Sequence, residues 1–191
     1  GSGLSGLVLS TGGSYTVTNS VIANSRMYGY TVYVGDGGEA TPIRFYNTIF
    51  YNDVPENGGT FIFFPSGVQY SGDHNIFYDP YRPDEVICWD HGTSQDCHGQ
   101  IEINDGTWTA ASGGQDSHSR YANPLFVHAA TGDFHPQASS PAIDAASSVW
   151  APADDLERHQ RPAGNGYDVG PYEYGSSAPV APGVGGCSLF P

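Results

Sequence analysis

Short apolar runs recur along the first eighty residues, each three or four positions long and each followed within three residues by Gly, Asn or Asp. Thr18-Asn-Ser-Val-Ile-Ala-Asn24 aligns with Tyr46-Asn-Thr-Ile-Phe-Tyr-Asn52, 28 residues on, and that with Asp73-His-Asn-Ile-Phe-Tyr-Asp79, 27 further. Val21, Ile49 and Ile76 fall in phase, as do Ile22, Phe50 and Phe77, and Asn24, Asn52 and Asp79. A second family interleaves: Leu7-Val-Leu-Ser-Thr-Gly-Gly13, Val32-Tyr-Val-Gly-Asp-Gly-Gly38 at an offset of 25, and Phe61-Ile-Phe-Phe-Pro-Ser-Gly67 at 29. Two interleaved strand families at one period predict coils of short strands stacked about 4.8 Å apart, like residue on like. Asn tolerates the left-handed backbone of a tight corner, so Asn24, Asn52 and Asp79 are the expected corner column, hydrogen-bonded from coil to coil. No coil buries its apolar face alone, so the array must be continuous. A propeller blade of four strands in about 40 residues does not fit, and the Leu pattern of a leucine-rich repeat is missing.

From Pro80 to Tyr121 the repeat breaks off, and this stretch is expected to be a loop or lateral insertion. Within it, Gln100-Ile-Glu-Ile-Asn104 alternates as a strand does. Cys88 and Cys97 lie in the same stretch, nine positions apart. A disulfide closing that loop is the expected reading. A zinc site using His91 or His98 is the alternative, although C-x8-C matches no common zinc spacing.

Composition agrees with many short strands and turns: 26 Gly, 14 Pro and 13% aromatic residues in 191. The charge is one-sided, with 20 acidic residues against six arginines and no lysine, net −14. Such a surface repels phosphates, so nucleic acid is not an expected partner. It also repels acidic polysaccharides unless cations intervene, and calcium is the cation that acidic clusters would collect. No segment is long enough to span a membrane. The chain opens on Gly1-Ser-Gly without Met or a secretory leader, which fits a processed chain or a piece of a longer one.

The last third carries a series of short motifs: Asn123-Pro-Leu-Phe-Val, Gly132-Asp-Phe-His, Ser139-Ser-Pro-Ala-Ile-Asp-Ala, Arg161-Pro and Gly166-Tyr-Asp-Val-Gly-Pro-Tyr-Glu. The series resembles the C-terminal region of bacterial surface proteins of the choice-of-anchor Q group, built on a pectate-lyase-like right-handed parallel β-helix. The resemblance implies an all-β solenoid over residues 1–174, with 80–121 as insertion and 122–174 closing the C-terminal end. It places Asp144, Arg161, Asp168 and Glu173 at matching motif positions, where an ion-paired structural cap is the expected role and an active-site cluster the alternative. Asp155-Leu-Glu-Arg-His-Gln-Arg161 departs from the group's pattern in being less rich in glycine. Residues 175–191 read as a Gly/Pro linker. Gly185-Gly-Cys187 within it resembles the start of a bacterial C-terminal sorting signal, which would anchor the protein to a membrane through Cys187; the hydrophobic helix and basic end of such a signal are not in this chain.

Three functions follow as expectations. The first is a secreted or surface-displayed domain, non-catalytic, that contacts glycans or serves as a structural element. Tyr28, Tyr30, Tyr33, Tyr46, Tyr51, Tyr78 and Tyr81 recur along the repeats and could form an outward ridge on which sugars stack. The residues singled out for binding are Tyr46, Tyr51, Asp53, Tyr78 and Asp79. The second is a polysaccharide lyase or glycoside hydrolase. A lyase needs a base and a cation, and here lysine is absent, the arginines are scattered, and His74 or His98 would have to serve. A hydrolase needs two carboxylates about 5–10 Å apart, for which Asp53 and Asp79 on neighbouring coils are the candidates. The third is a filament or surface layer assembled through an open first coil. No nucleophile elbow, phosphate loop or dinucleotide fingerprint is present, and no His pair has helical metal spacing.

Overall fold

The structure, a computed structural model, describes residues 7–9, 13–23, 32–34, 42–55, 62–90 and 93–176. Asn24, Tyr28, Tyr30, His91, Cys187 and the side chain of Tyr33 lie outside the described residues. The strands come in triplets. β1 (Leu7–Leu9), β2 (Tyr15–Thr18) and β3 (Val21–Ala23) are followed by β4 (Val32–Val34), β5 (Pro42–Tyr46) and β6 (Ile49–Tyr51). Then come β7 (Ile62–Phe64), β8 (Gln69–Asp73) and β9 (Ile76–Tyr78). Each strand pairs in parallel with its counterpart one triplet on, so β1-β4-β7, β2-β5-β8 and β3-β6-β9 belong to three separate sheets.

The register is the one the sequence repeat predicts in two of the three sheets. Thr18 pairs with Tyr46 and Tyr46 with Asp73, while Val21 pairs with Ile49 and Ile49 with Ile76. In the third sheet Leu7 pairs with Val32 as expected, but Val32 pairs with Ile62 and not with Phe61. Side chains alternate along a strand, so this slip of one residue decides which ones point inward. Ile62 and Phe64 are the fully buried residues of β7.

Strand β5 shows the alternation: Ile43 and Phe45 are buried, Arg44 and Tyr46 half-buried. The core stacks like on like, with Phe50 parallel to Phe77 at 5.1 Å and Phe45 edge-on to Phe50. The sheet carrying β6 is covered on both faces. Phe50 and Phe77 pack into the main core, while Ile49 and Ile76 join a second cluster on the opposite face. That is why Ile49-Phe-Tyr51 is apolar throughout.

The pairing continues into the stretch expected to be a loop. β10 (Ile87–Asp90) adds in parallel to β7, with Ile87 opposite Ile62. It turns back through β11 (Gln95–His98), which pairs with it antiparallel and puts Cys88 opposite Cys97. These two cysteines form a disulfide. Residues 100–104, expected as a strand, are instead helix α1 (Gln100–Asp105), followed by α2 (Thr107–Ala111). Local chemistry explains the difference. The Glu102 carboxylate accepts the Gly99 N–H at 3.1 Å, satisfying a donor at the helix start, and Gly106 adopts φ 85°, which ends the turn. Only Ile103 of the two isoleucines is buried; Ile101 is 66% exposed. β12 (Arg120–Tyr121) then pairs in parallel with β9.

Ile103 and Trp108 belong to the main core beside Tyr70 and Val86, and the Asp116 N–H donates to Gly72 O beyond the last strand of the β2-β5-β8 sheet. The helices thus take the place of that sheet's next strand and cover the end of the stack. The region after β12, expected to close that end, runs back along the side. It begins with the hairpin β13 (Phe126–His128) and β14 (Asp133–Pro136). Phe126, Ala142 and Val169 then pack on Ile49, Tyr51 and Ile76. Gly170 donates from its N–H to Asn47 O.

Candidate functional site

The corners between the β2-β5-β8 sheet and the β3-β6-β9-β12 sheet set up the first site. Asn19, Asn47 and His74 hold these corners in the left-handed conformation, with φ of 45°, 53° and 55°. The sequence repeat pointed to the other corner. Asn52 and Asp79 are not left-handed, yet they are hydrogen-bonded between triplets as expected, Asn52 Nδ2 donating to Asp79 Oδ2 at 3.0 Å. A residue further along the first corner, Thr48 N donates to Asn75 Oδ1 and Asn75 N donates to Ser119 Oγ. The loop leading into β12 therefore continues this corner by one more level and sets His118 beside His74.

The two imidazoles stack with centroids 4.6 Å apart. His118 Nδ1 lies 2.8 Å and His74 Nδ1 3.3 Å from Asp73 Oδ2. The other oxygen, Oδ1, accepts the backbone N–H groups of His74 at 3.0 Å and of His118 at 2.7 Å. Burial would raise the Asp73 carboxyl, but hydrogen bonds from the His118 ring and from the His118 and His74 N–H groups bring it below its ordinary value. Burial lowers His74, with His118 and the Arg120 charge adding to the effect against Asp73, so its ring is neutral near pH 7. The sequence had a signal for part of this: where the earlier repeats carry Thr18-Asn19 and Tyr46-Asn47, the third carries Asp73-His74. His118, 44 residues downstream of His74, had none, because its loop shares no repeat motif.

Behind this corner lies Asp116, fully enclosed. Tyr70 Oη and Trp108 Nε1 donate to its Oδ2, and Asn75 Nδ2 and Ser119 Oγ to its Oδ1. Burial pushes its carboxyl above the usual range against the pull of these four donors.

The four expected cap residues come together in the segment along the side of the stack. Arg161 Nη1 donates to Asp168 O at 3.0 Å and Nη2 to Gly170 O at 2.8 Å, and Nη1 lies 3.5 Å from Glu173 Oε2. Asp168 accepts the N–H groups of Asp144 and Tyr174, and Glu173 those of Ala163 and Asp168. Burial raises both Asp168 and Glu173. Asp144 is exposed and accepts from Gly166 N–H at 2.7 Å. Asp155, which the sequence did not single out, is buried with them and accepts from Glu157, His159 and Glu173 N–H. These carboxylates are occupied by backbone donors, which holds irregular chain in shape. With its amide oriented to satisfy both ends, Asn19 accepts from Arg161 Nη1 at 2.9 Å and donates to Trp150 O at 3.0 Å. An open cleft of about 240 Å³ lies here between Thr18 and Asn19 on one side and Asp154, Leu156 and Arg161 on the other. Trp150 stacks on Tyr46 at 4.1 Å with the rings parallel to within 4°, and is 38% exposed.

The other expected binding residues are distributed differently. Tyr51 is 7% exposed, lies under Phe126 and donates to Asp53. Its ring is stacked on Tyr78. Asp79 is buried, with Oδ1 accepting the N–H groups of Tyr81 and Arg82 and Oδ2 the Asn52 amide, so it ends a turn. Of this set, Tyr46 contributes to an exposed aromatic surface through Trp150, while Tyr78 is half-buried beside Tyr51 and Tyr121. Arg44 Nη1 reaches back to Ser14 Oγ at 2.7 Å. No described helix is long and apolar enough to cross a membrane. No family model, curated protein or solved structure matches the chain.

Proposed function

We propose that the chain is a right-handed parallel β-helix domain of a secreted or surface-displayed protein, and that it contacts neutral glycans without cleaving them. The three-way order of parallel sheets, with Asn at the corners, supports the β-helix. The hand follows from the strong preference for right-handed crossovers between parallel strands. The resemblance of the C-terminal motifs to the choice-of-anchor Q group supports the surface location, as does the Cys88–Cys97 disulfide, a bond that persists in oxidising compartments.

The observation that carries the glycan reading is the Trp150–Tyr46 stack beside the open cleft. An indole braced face to face by a second ring is a rigid platform for the apolar face of a sugar. Asp154, exposed at the cleft, offers a polar group of the kind that sugar hydroxyls need. A net charge of −14 disfavours uronate or sulfate polymers. Asp155, the other carboxylate lining the cleft, is turned to backbone donors, which favours binding over hydrolysis. The test is incubation with neutral and acidic polysaccharides, followed by size exclusion. Co-elution with a neutral polymer of unchanged length is expected, weakened about tenfold or more in Trp150→Ala. Shortening of any polymer would replace this reading with a lyase or hydrolase, and absence of co-elution would favour a structural element.

A further inference from the structure

We propose that Asp73, His74 and His118 form a binding site for a zinc-class divalent ion, which pins the loop after α2 onto the corner between β8 and β9. Each of the three residues offers a ligand atom, and these atoms lie within 4.8 Å of one another; Asp73 Oδ2 faces Nδ1 of both rings. Two imidazole nitrogens and one carboxylate oxygen suit zinc and its neighbours; calcium, the ion expected from the sequence, takes six to eight oxygens. Ligands about 2.0–2.1 Å from a tetrahedral centre are about 3.3–3.4 Å apart. The His74–Asp73 separation is 3.3 Å. The His118–Asp73 separation of 2.8 Å opens by about half an ångström on that geometry, a small step for a side chain 65% exposed.

Three further features point to a ligand. His74 Nδ1 is shielded from solvent and makes no hydrogen bond among the described residues. It is close to Asp73 Oδ2, but not in bonding geometry. Asp73 is already oriented, since its Oδ1 is held by two backbone N–H groups while Oδ2 faces the imidazoles. Such outer contacts fix ligands in metal sites. The His74 ring is itself set by a left-handed corner that its counterparts Asn19 and Asn47 also adopt, so the histidine is not required by the turn. Two neighbours oppose binding and keep the affinity moderate: the Ser117 hydroxyl competes for His118 Nδ1 at 3.1 Å, and the Arg120 charge acts on His74.

The test is calorimetric titration of the chelator-stripped full chain with zinc ion alone, with calcium and magnesium in parallel, and thermal unfolding in each. One zinc per chain is expected, with Tm raised by about 5–10 °C at a hundred times the dissociation constant. Cobalt should give the visible bands of a tetrahedral site. His118→Ala removes an exposed ring, and His74→Asn restores the residue used at the two preceding corners, so both variants keep the fold. Each should lose at least tenfold in zinc affinity, and zinc should slow amide exchange of the 116–119 loop in the parent alone. Unchanged zinc affinity in either variant, no zinc uptake, or calcium bound as tightly as zinc would overturn the proposal.

Discussion

Asp116 is 2% exposed and receives four side-chain donors from β8, from α2, and from the two levels of the corner at Asn75 and Ser119. Asp116→Ala leaves those donors buried without an acceptor, and each such orphan costs about 1–3 kcal/mol before relaxation. A loss of about 3–5 kcal/mol in denaturant unfolding is expected; a loss below about 1 kcal/mol would mean that water replaces the carboxylate. His135 gives the pH-dependent case. It lies between Asp133 at 2.7 Å and Glu157 at 3.3 Å, stacked on Tyr172. Burial pulls its imidazole down, but the two carboxylates outweigh burial and raise it above 6.5. A raised histidine stabilises the folded state fully below its unfolded value and stops doing so as pH rises through the folded one. Proton titration followed by NMR should place His135 above 6.5, and Glu157→Gln should move it down. A midpoint at or below 6.5 in the parent would refute the pairing.

At the scale of elements, the segment along the side depends on close approach. Gly170 has φ 98°, and a Cβ there would sit 2.9 Å from Ile49 Cδ1. Its carbonyl also accepts Arg161 Nη2. Gly170→Ala strains the backbone and pushes the segment off β6, at a cost of about 1–3 kcal/mol. Unfolding midpoints test this, and an unchanged midpoint would mean that the segment contributes little. Strands were readable from the repeat because each is a short apolar run followed by turn residues, and parallel pairing keeps like residues in phase. Helix α1 was not, because Ile101-x-Ile103 satisfies a strand pattern and the deciding interactions are a Glu102 side chain on Gly99 N–H and a left-handed Gly106. The one-residue slip at β7 was hidden too: four consecutive apolar residues, Phe61 to Phe64, offer no period by which to choose.

For the whole molecule, the sequence specified a largely β chain, the period, and the pairing of two sheets, because stacking repeats the same local environment and therefore the same residue types. It also pointed to the Cys88–Cys97 disulfide, although the hairpin register that sets the two cysteines opposite each other came from the fold. It brought Asp144, Arg161, Asp168 and Glu173 into one candidate group through their motif positions. Tertiary structure decided what these parts cover. The helices of the supposed insertion complete the end of the stack, because Trp108 and Ile103 bury there. The supposed end cap lies along the side, because Val21, Ile49 and Ile76 present a second apolar face that needs cover. It also decided which aromatic rings stay open to solvent: Tyr51 is under Phe126, while Trp150 rests on Tyr46 and stays exposed, as does Tyr81. The Asp73–His74–His118 cluster joins a repeat corner to a loop outside the repeat. Periodicity reports only contacts between equivalent residues, so a contact between non-equivalent ones appears only when the chain is folded.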